Sequence, residues 1–127
     1  MRQLLLYLLL FVFISSCKKG GTTDEPAVDI KDGTWRISYF WDVQDKTSTY
    51  TSYYFMFLDG GNLMAHGSSN TYTGTWSQTS TRISINFSGS PMNDLNGDWL
   101  KTELNGSSIK LKDDGASQDD KLYFVKN

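Results

Sequence analysis

Past residue 28 no stretch of the chain sustains a helical period, and the segments that show order alternate apolar and polar residues with a period of two. Successive side chains of a strand point to opposite faces, so this alternation calls for half-buried β-strands. The first segment, Thr34–Trp41, sets Trp35, Ile37, Tyr39 and Trp41 on one face and Arg36 and Ser38 on the other. Tyr53–Leu58 follows and is apolar on both faces. Further strands are predicted at Asn62–His66, Tyr72–Trp76, Arg82–Phe87, Trp99–Leu104, Ser108–Lys112 and Lys121–Lys126. Asp59-Gly60-Gly61-Asn62 reads as a hairpin, since glycine accepts the positive φ of a tight turn. Asn105-Gly106 and Asp113-Asp114-Gly115 join the last three strands.

Eight strands in about 100 residues, mostly joined by hairpin-length connections, predict an all-β fold: a small antiparallel up-and-down barrel in which sequence neighbours pair. Closing the meander removes its exposed edges. A chain of 127 residues has room for one such domain. Of its 4 Trp, 7 Tyr and 7 Phe, three lie in the apolar start and the remaining 15 lie between Trp35 and Phe124, enough to build a core without disulfides. Pro91 is the lone proline of this region, as strand pairing requires. The formal net charge of −2 and a pI near 5.2 give no long-range attraction for polyanions, so nucleic acid is not an expected partner.

The chain begins with Met1-Arg2-Gln3 and then an uninterrupted apolar run of 11 residues, Leu4 to Ile14. That is shorter than the about 20 residues of a finished membrane span, and a basic start with small residues afterwards matches a secretory signal. Ile14-Ser15-Ser16-Cys17 resembles the lipobox of bacterial lipoproteins, an aliphatic residue and two small ones before a cysteine. The resemblance implies cleavage before Cys17, diacylation of its thiol and acylation of the new amino group. Each buried CH₂ adds about 0.8 kcal/mol to anchoring, so two or three acyl chains hold a protein on a membrane almost permanently. With a single Cys, the chain has no internal disulfide and no multi-cysteine metal or iron–sulfur site.

Residues 18–26, Lys-Lys-Gly-Gly-Thr-Thr-Asp-Glu-Pro, contain no apolar residue and read as a flexible spacer. In lipoproteins of the Bacteroidota type, surface export typically follows an acidic cluster soon after the cysteine. Here lysines and glycines come first, so the expected location is the cell envelope, on the outer membrane and facing the periplasm. The expected organisation is a lipoprotein signal peptide over 1–16, the lipidated cysteine and linker over 17–29, and the barrel over 30–127.

Gly33-Thr34-Trp35 at the first strand, Phe57-Leu58-Asp59-Gly60-Gly61 at a hairpin, Gly74-Thr75-Trp76 mid-chain and a closing Leu122-Tyr123-Phe124 resemble the lipocalin-like domains of bacterial envelope lipoproteins. In lipocalins the opening Trp plugs one barrel end and an Arg from the last strand region often packs over it. Trp35 matches the first role. No Arg occurs after Arg82, and Lys126 is an imperfect substitute for the second. An eight-stranded barrel is narrow enough for side chains alone nearly to fill it.

Groups that carry chemistry are sparse. His66 is the only histidine, so no two-histidine metal site exists, and it reads as structural rather than catalytic. Asp113, Asp114, Asp119 and Asp120 could crowd oxygen ligands around Ca²⁺, but their spacing does not fit an EF-hand and reads better as a solvated hairpin loop. Asp98 and Glu103, five apart on one strand, should face opposite sides and so form no acid/base pair. Gly60-Gly61, Gly74 and Gly97 precede no helix and form no phosphate loop.

No enzyme and no cofactor are therefore expected. The sequence suggests a membrane-anchored lipoprotein whose lipocalin-like domain binds a small apolar or amphipathic ligand. Strand parity nominates Trp35, Ile37, Tyr39, Phe55, Phe57, Tyr72 and Trp76 as cavity or core, and the lipobox resemblance implies Cys17 as the lipidation site. The alternative is a filled barrel acting through an envelope protein partner, with Phe40, Tyr54, Met56 and Leu58 on the outer face.

Overall fold

The structure is a computed structural model, and it describes residues 28–115 and 119–127. The signal peptide, Cys17 and most of the linker lie outside the described residues, as do residues 116–118 of the acidic loop. Nine strands follow one another: β1 Trp35–Asp42, β2 Gln44–Asp45, β3 Tyr54–Leu58, β4 Asn62–His66, β5 Thr71–Gln78, β6 Arg82–Phe87, β7 Gly97–Leu104, β8 Ser108–Lys112 and β9 Lys121–Lys126. The eight longer ones match the eight predicted segments to within two residues at each end. All pairings are antiparallel between strands consecutive around the sheet, and β1 pairs with β9 to close it into a barrel. The two-residue β2 folds back on the end of β1.

Closure is uneven. β1 and β9 share six paired positions, from Trp35↔Lys126 to Trp41↔Lys121. β1 and β3 share only Trp35↔Phe55. Beyond that point the edge of β1 is satisfied by the turn at Thr47–Thr49: Lys46 N–H donates to Phe40 O at 2.9 Å and Phe40 N–H to Thr47 Oγ1 at 2.9 Å.

Two bulges break the period-two register. In β1, Ile37 faces Phe124 and Tyr39 faces Tyr123, leaving Ser38 as the extra residue. In β7, Lys101 faces Leu111 and Glu103 faces Lys110, leaving Thr102 extra. Both extra residues carry hydroxyls that donate across to the strand opposite, Ser38 Oγ to Tyr123 O at 3.4 Å and Thr102 Oγ1 to Lys110 O at 3.0 Å. Each bulge inverts the faces of everything after it. Phe40 therefore turns inward and is fully buried, while Tyr39 and Trp41 turn outward. The assignment of Tyr39 to the interior, and of Phe40 to the outer face, is corrected by this one inserted residue.

One continuous core fills the barrel. Phe55, Phe57 and Phe124 pack edge to face, with centroids 5.4 and 5.8 Å apart, and Ile37, Leu63, Ala65, Ile83, Ile85, Ile109, Leu111 and Leu122 complete the inner layer. Trp76 is partly buried against Phe57 at 5.3 Å and donates its indole N–H to Leu58 O at 2.9 Å. Gly74 lets β5 and β6 approach, since a Cβ there would sit 2.4 Å from Asn86 O and 2.8 Å from the Phe87 ring.

Candidate functional site

Both ends of the barrel are shut by side chains. At one end Trp35 is wholly buried, its indole N–H donating to Ile30 O at 2.8 Å. Lys126 lies over its ring, Nζ 5.2 Å from the centroid, and reaches Asp32 at 3.8 Å. The late lysine thus occupies the place that the late arginine takes over the opening tryptophan in lipocalins, with a cation over the ring but no planar fork to lie flat on it. At the opposite end Tyr50, Met92 and Leu95 descend from the β1–β3 and β6–β7 connections and are buried. Tyr50 O–H donates to Pro91 O at 2.8 Å, next to a cis Ser90–Pro91 bond, and burial pushes its hydroxyl up to about 12. Phe40 stands beneath this lid, edge-on to Tyr50 at 5.4 Å and to Trp99 at 6.5 Å.

Space is left on the outside instead. A cleft of about 270 Å³ opens at the rim of the lidded end, between the end of β1, the start of β7 and the β8–β9 loop. Its base is formed by Phe40 and Trp99, and its wall by Asn96 and five carboxylates, those of Asp42, Asp94, Asp98, Asp113 and Asp120. Trp99 is fixed by its indole N–H, which donates to Leu95 O at 2.9 Å. Lys46 bridges Asp42 at 2.6 Å and Asp94 at 3.2 Å, and Arg82 approaches Asp98 at 3.5 Å and pairs with Asp114. The bond to Asp42 holds the Lys46 ammonium above its usual range. Asp113 and Asp120 have no ion-pair partner among the described residues. Burial, then the charge of Asp42, raises the Asp120 carboxyl above the usual carboxylate range, while the Val43 N–H pulls it the other way. Val43 is 86% exposed at φ 63°, a strained conformation for a β-branched residue, at the tip between β1 and β2. An open groove of about 340 Å³, lined by uncharged residues such as Asn62, Thr73 and Asn86, crosses the outside of β4–β6.

No family model matches the sequence, and no curated protein matches it either. Two solved structures do match. One is a DUF4847 family protein from Bacteroides vulgatus, with a TM-score of 0.58 and 17% identity, covering 77% of this chain and 94% of that one. The other is a lipocalin-like protein from Bacteroides uniformis, with a TM-score of 0.57 and 19% identity, covering 78% of this chain and 100% of that one. The fold is lipocalin-like. Identities this low speak for the fold alone.

Within this lipocalin-like barrel, Trp35, Ile37, Phe55 and Phe57 meet in the core, Tyr72 and Trp76 pack at its margin, and Tyr39 lies outside it against Tyr123 at 5.4 Å. Cys17 is outside the described residues. Asp98 and Glu103 were expected on opposite faces. The Thr102 bulge puts both outside, roughly 16 Å apart along the strand, Asp98 accepting from Ser84 at 2.8 Å and Glu103 from Ser108 at 3.0 Å. His66 sits exposed beside Thr71, Nδ1 to Oγ1 2.8 Å. Asp113 and Asp120 close a hairpin through Asp113 N–H to Asp120 O at 3.0 Å, and no metal-holding group of three or more His, Cys, Asp or Glu occurs among the described residues. Sequence reasoning missed the rim cleft, whose lining comes from three separate stretches of chain. Only the recurrence of aspartate at their ends hints at it.

Proposed function

We propose that the chain is a lipid-anchored envelope lipoprotein, held through Cys17 on the periplasmic side of the outer membrane, whose lipocalin-like barrel binds a ligand rather than transforming one. Support for the anchor is the Ile14-Ser15-Ser16-Cys17 sequence and the polar spacer after it. The rim cleft carries the binding reading. It is a cleft more enclosed than the groove over β4–β6, and its carboxylates beside the Trp99 ring suit a small amphipathic molecule that leads with a cationic group. An apolar ligand inside the barrel is not favoured, because aromatic and aliphatic side chains occupy that space.

The filled interior also supports a second reading, a barrel that works only through protein contacts. Native mass spectrometry of the protein released gently from its own envelope separates the two. A reproducible adduct that disappears on denaturation, and is lost in Asp42→Asn/Asp120→Asn, supports the cleft. A clean mass that stays clean after incubation with envelope extract removes the ligand reading and leaves the protein-contact one.

A further inference from the structure

The outside of the barrel differs sharply from side to side. On β8, β9 and β1 the outward residues include Lys110 and Lys112, Lys121 and Tyr123, and Arg36, Tyr39 and Trp41, beside the uncharged Ser108, Val125 and Ser38. On the far side, across the diameter, β5 and β6 present Thr73, Thr75, Ser77, Ser84 and Asn86, and their one outward charge, Arg82 at the end of β6, is paired with Asp98 and Asp114. The net charge of −2 conceals this asymmetry. Two acids border the basic side, Glu103 on β7, 3.5 Å from Lys110, and the exposed Asp45 of β2, the cross-strand partner of Trp41, whereas Asp113 and Asp120 turn toward the rim cleft.

Two details of this side are costly in an isolated domain. Lys112 and Lys121 are direct cross-strand partners, like charges set opposite each other, and neither has an ion pair among the described residues. Trp41 stands outward between its two cross-strand partners, Lys121 of β9 and Asp45 of β2. Trp35, Trp76 and Trp99 each donate the indole N–H to a backbone carbonyl, but Trp41 makes no such bond among the described residues. Half-buried aromatic rings with free polar ends, interleaved with lysines, are the composition of a membrane–water interface.

We propose that the β8–β9–β1 face docks on an anionic lipid surface, so that the barrel lies on its side with Trp41, Tyr39 and Tyr123 at headgroup depth. The proposal rests on the reading that Cys17 is lipidated. Ten residues, 18–27, separate Cys17 from the first described residue. Extended, they reach about 35 Å, ample for a barrel to lie flat beside its anchor.

The lipidated protein is reconstituted in vesicles of phosphatidylcholine, with or without about 30 mol% phosphatidylglycerol, and the quenching of Trp41 by brominated lipid is read against a Trp41→Phe control. Each basic residue near an anionic surface is worth roughly a fivefold shift in partitioning, so Lys112→Gln/Lys121→Gln should lower the docked-to-undocked ratio about 25-fold. Quenching that needs phosphatidylglycerol and disappears in this variant, and in about 1 M salt, supports the proposal. Equal quenching in both vesicles, or in variant and parent, overturns it, as does protection of these lysines from acetylation by an acidic polysaccharide but not by anionic vesicles. Cosedimentation with pure phosphatidylcholine vesicles reports the anchor separately. If that fails, the reading of Cys17 fails, and the same quenching with protein added from outside still tests the face.

Discussion

Replacing Phe40 and Tyr39 by alanine, one at a time, asks whether Ser38 is really an inserted residue. Phe40 is completely buried and holds two edge-on aromatic partners, Tyr50 and Trp99. A buried Phe→Ala change typically costs about 3–5 kcal/mol, and two lost aromatic pairs of roughly 0.5–1.5 kcal/mol each place this site at the upper end, near 4–5 kcal/mol. Tyr39 lies outside the core and stacks on Tyr123, so its removal should cost at most about 1.5 kcal/mol. Urea unfolding followed by tryptophan fluorescence reads both. With m of about 1–3 kcal/mol/M, Phe40→Ala should lower the midpoint by roughly 1.3–5 M, and Tyr39→Ala by no more than about a third as much, with m unchanged. Should Phe40→Ala leave no folded protein, Phe40→Leu keeps the ranking measurable. If Tyr39→Ala costs as much as Phe40→Ala, the alternation runs uninterrupted through β1 and the bulge is wrong.

Gly74→Ala forces a methyl to within 2.4 Å of a backbone carbonyl and should cost at least about 1–3 kcal/mol, seen as a Tm fall of several degrees; an unchanged Tm would mean that β5 and β6 do not approach so closely. Lys126→Met should lose about 0.5–2 kcal/mol of interaction with Trp35 while Lys126→Arg keeps it, a difference that thermal melts resolve. Asp120 is held above its usual pKa, so the native state keeps its proton to higher pH than the unfolded chain does, and ionisation weakens folding as pH rises through that raised value. Asp120→Asn should therefore raise Tm by a few degrees at most at pH 7. The gap to the parent should close on acidification below the usual carboxylate range, and a gap independent of pH would contradict the assignment.

Most strand boundaries were legible because hairpins leave strong local marks: Gly60 and Gly61 adopt φ of 75° and 77° as the turn demands, and the alternation in β6, β8 and β9 is uninterrupted. What alternation cannot reveal is a skipped beat. Ser38 and Thr102 are ordinary strand-surface residues in sequence, and only the pairing with β9 and β8 shows that each faces no partner of its own. The same limit hid the lid and the cleft. Tyr50, Met92 and Leu95 sit in connections where loops normally expose side chains, and their burial depends on the open end of the barrel below them. Lys126 reads in the sequence only as an imperfect substitute for the missing late arginine, and its ammonium lies over the Trp35 ring.

The single paired position between β1 and β3, against six between β1 and β9, has a consequence in time. The first strand of the barrel finds little to hold it in the strand that comes next. Its main partner is the last strand made, so the contact that buries Trp35 spans nearly the whole domain, and closure must wait until residue 126 is free. Without β9 the edge of β1 has no partner over most of its length, and a truncation that removes Lys121–Lys126 should leave no closed barrel.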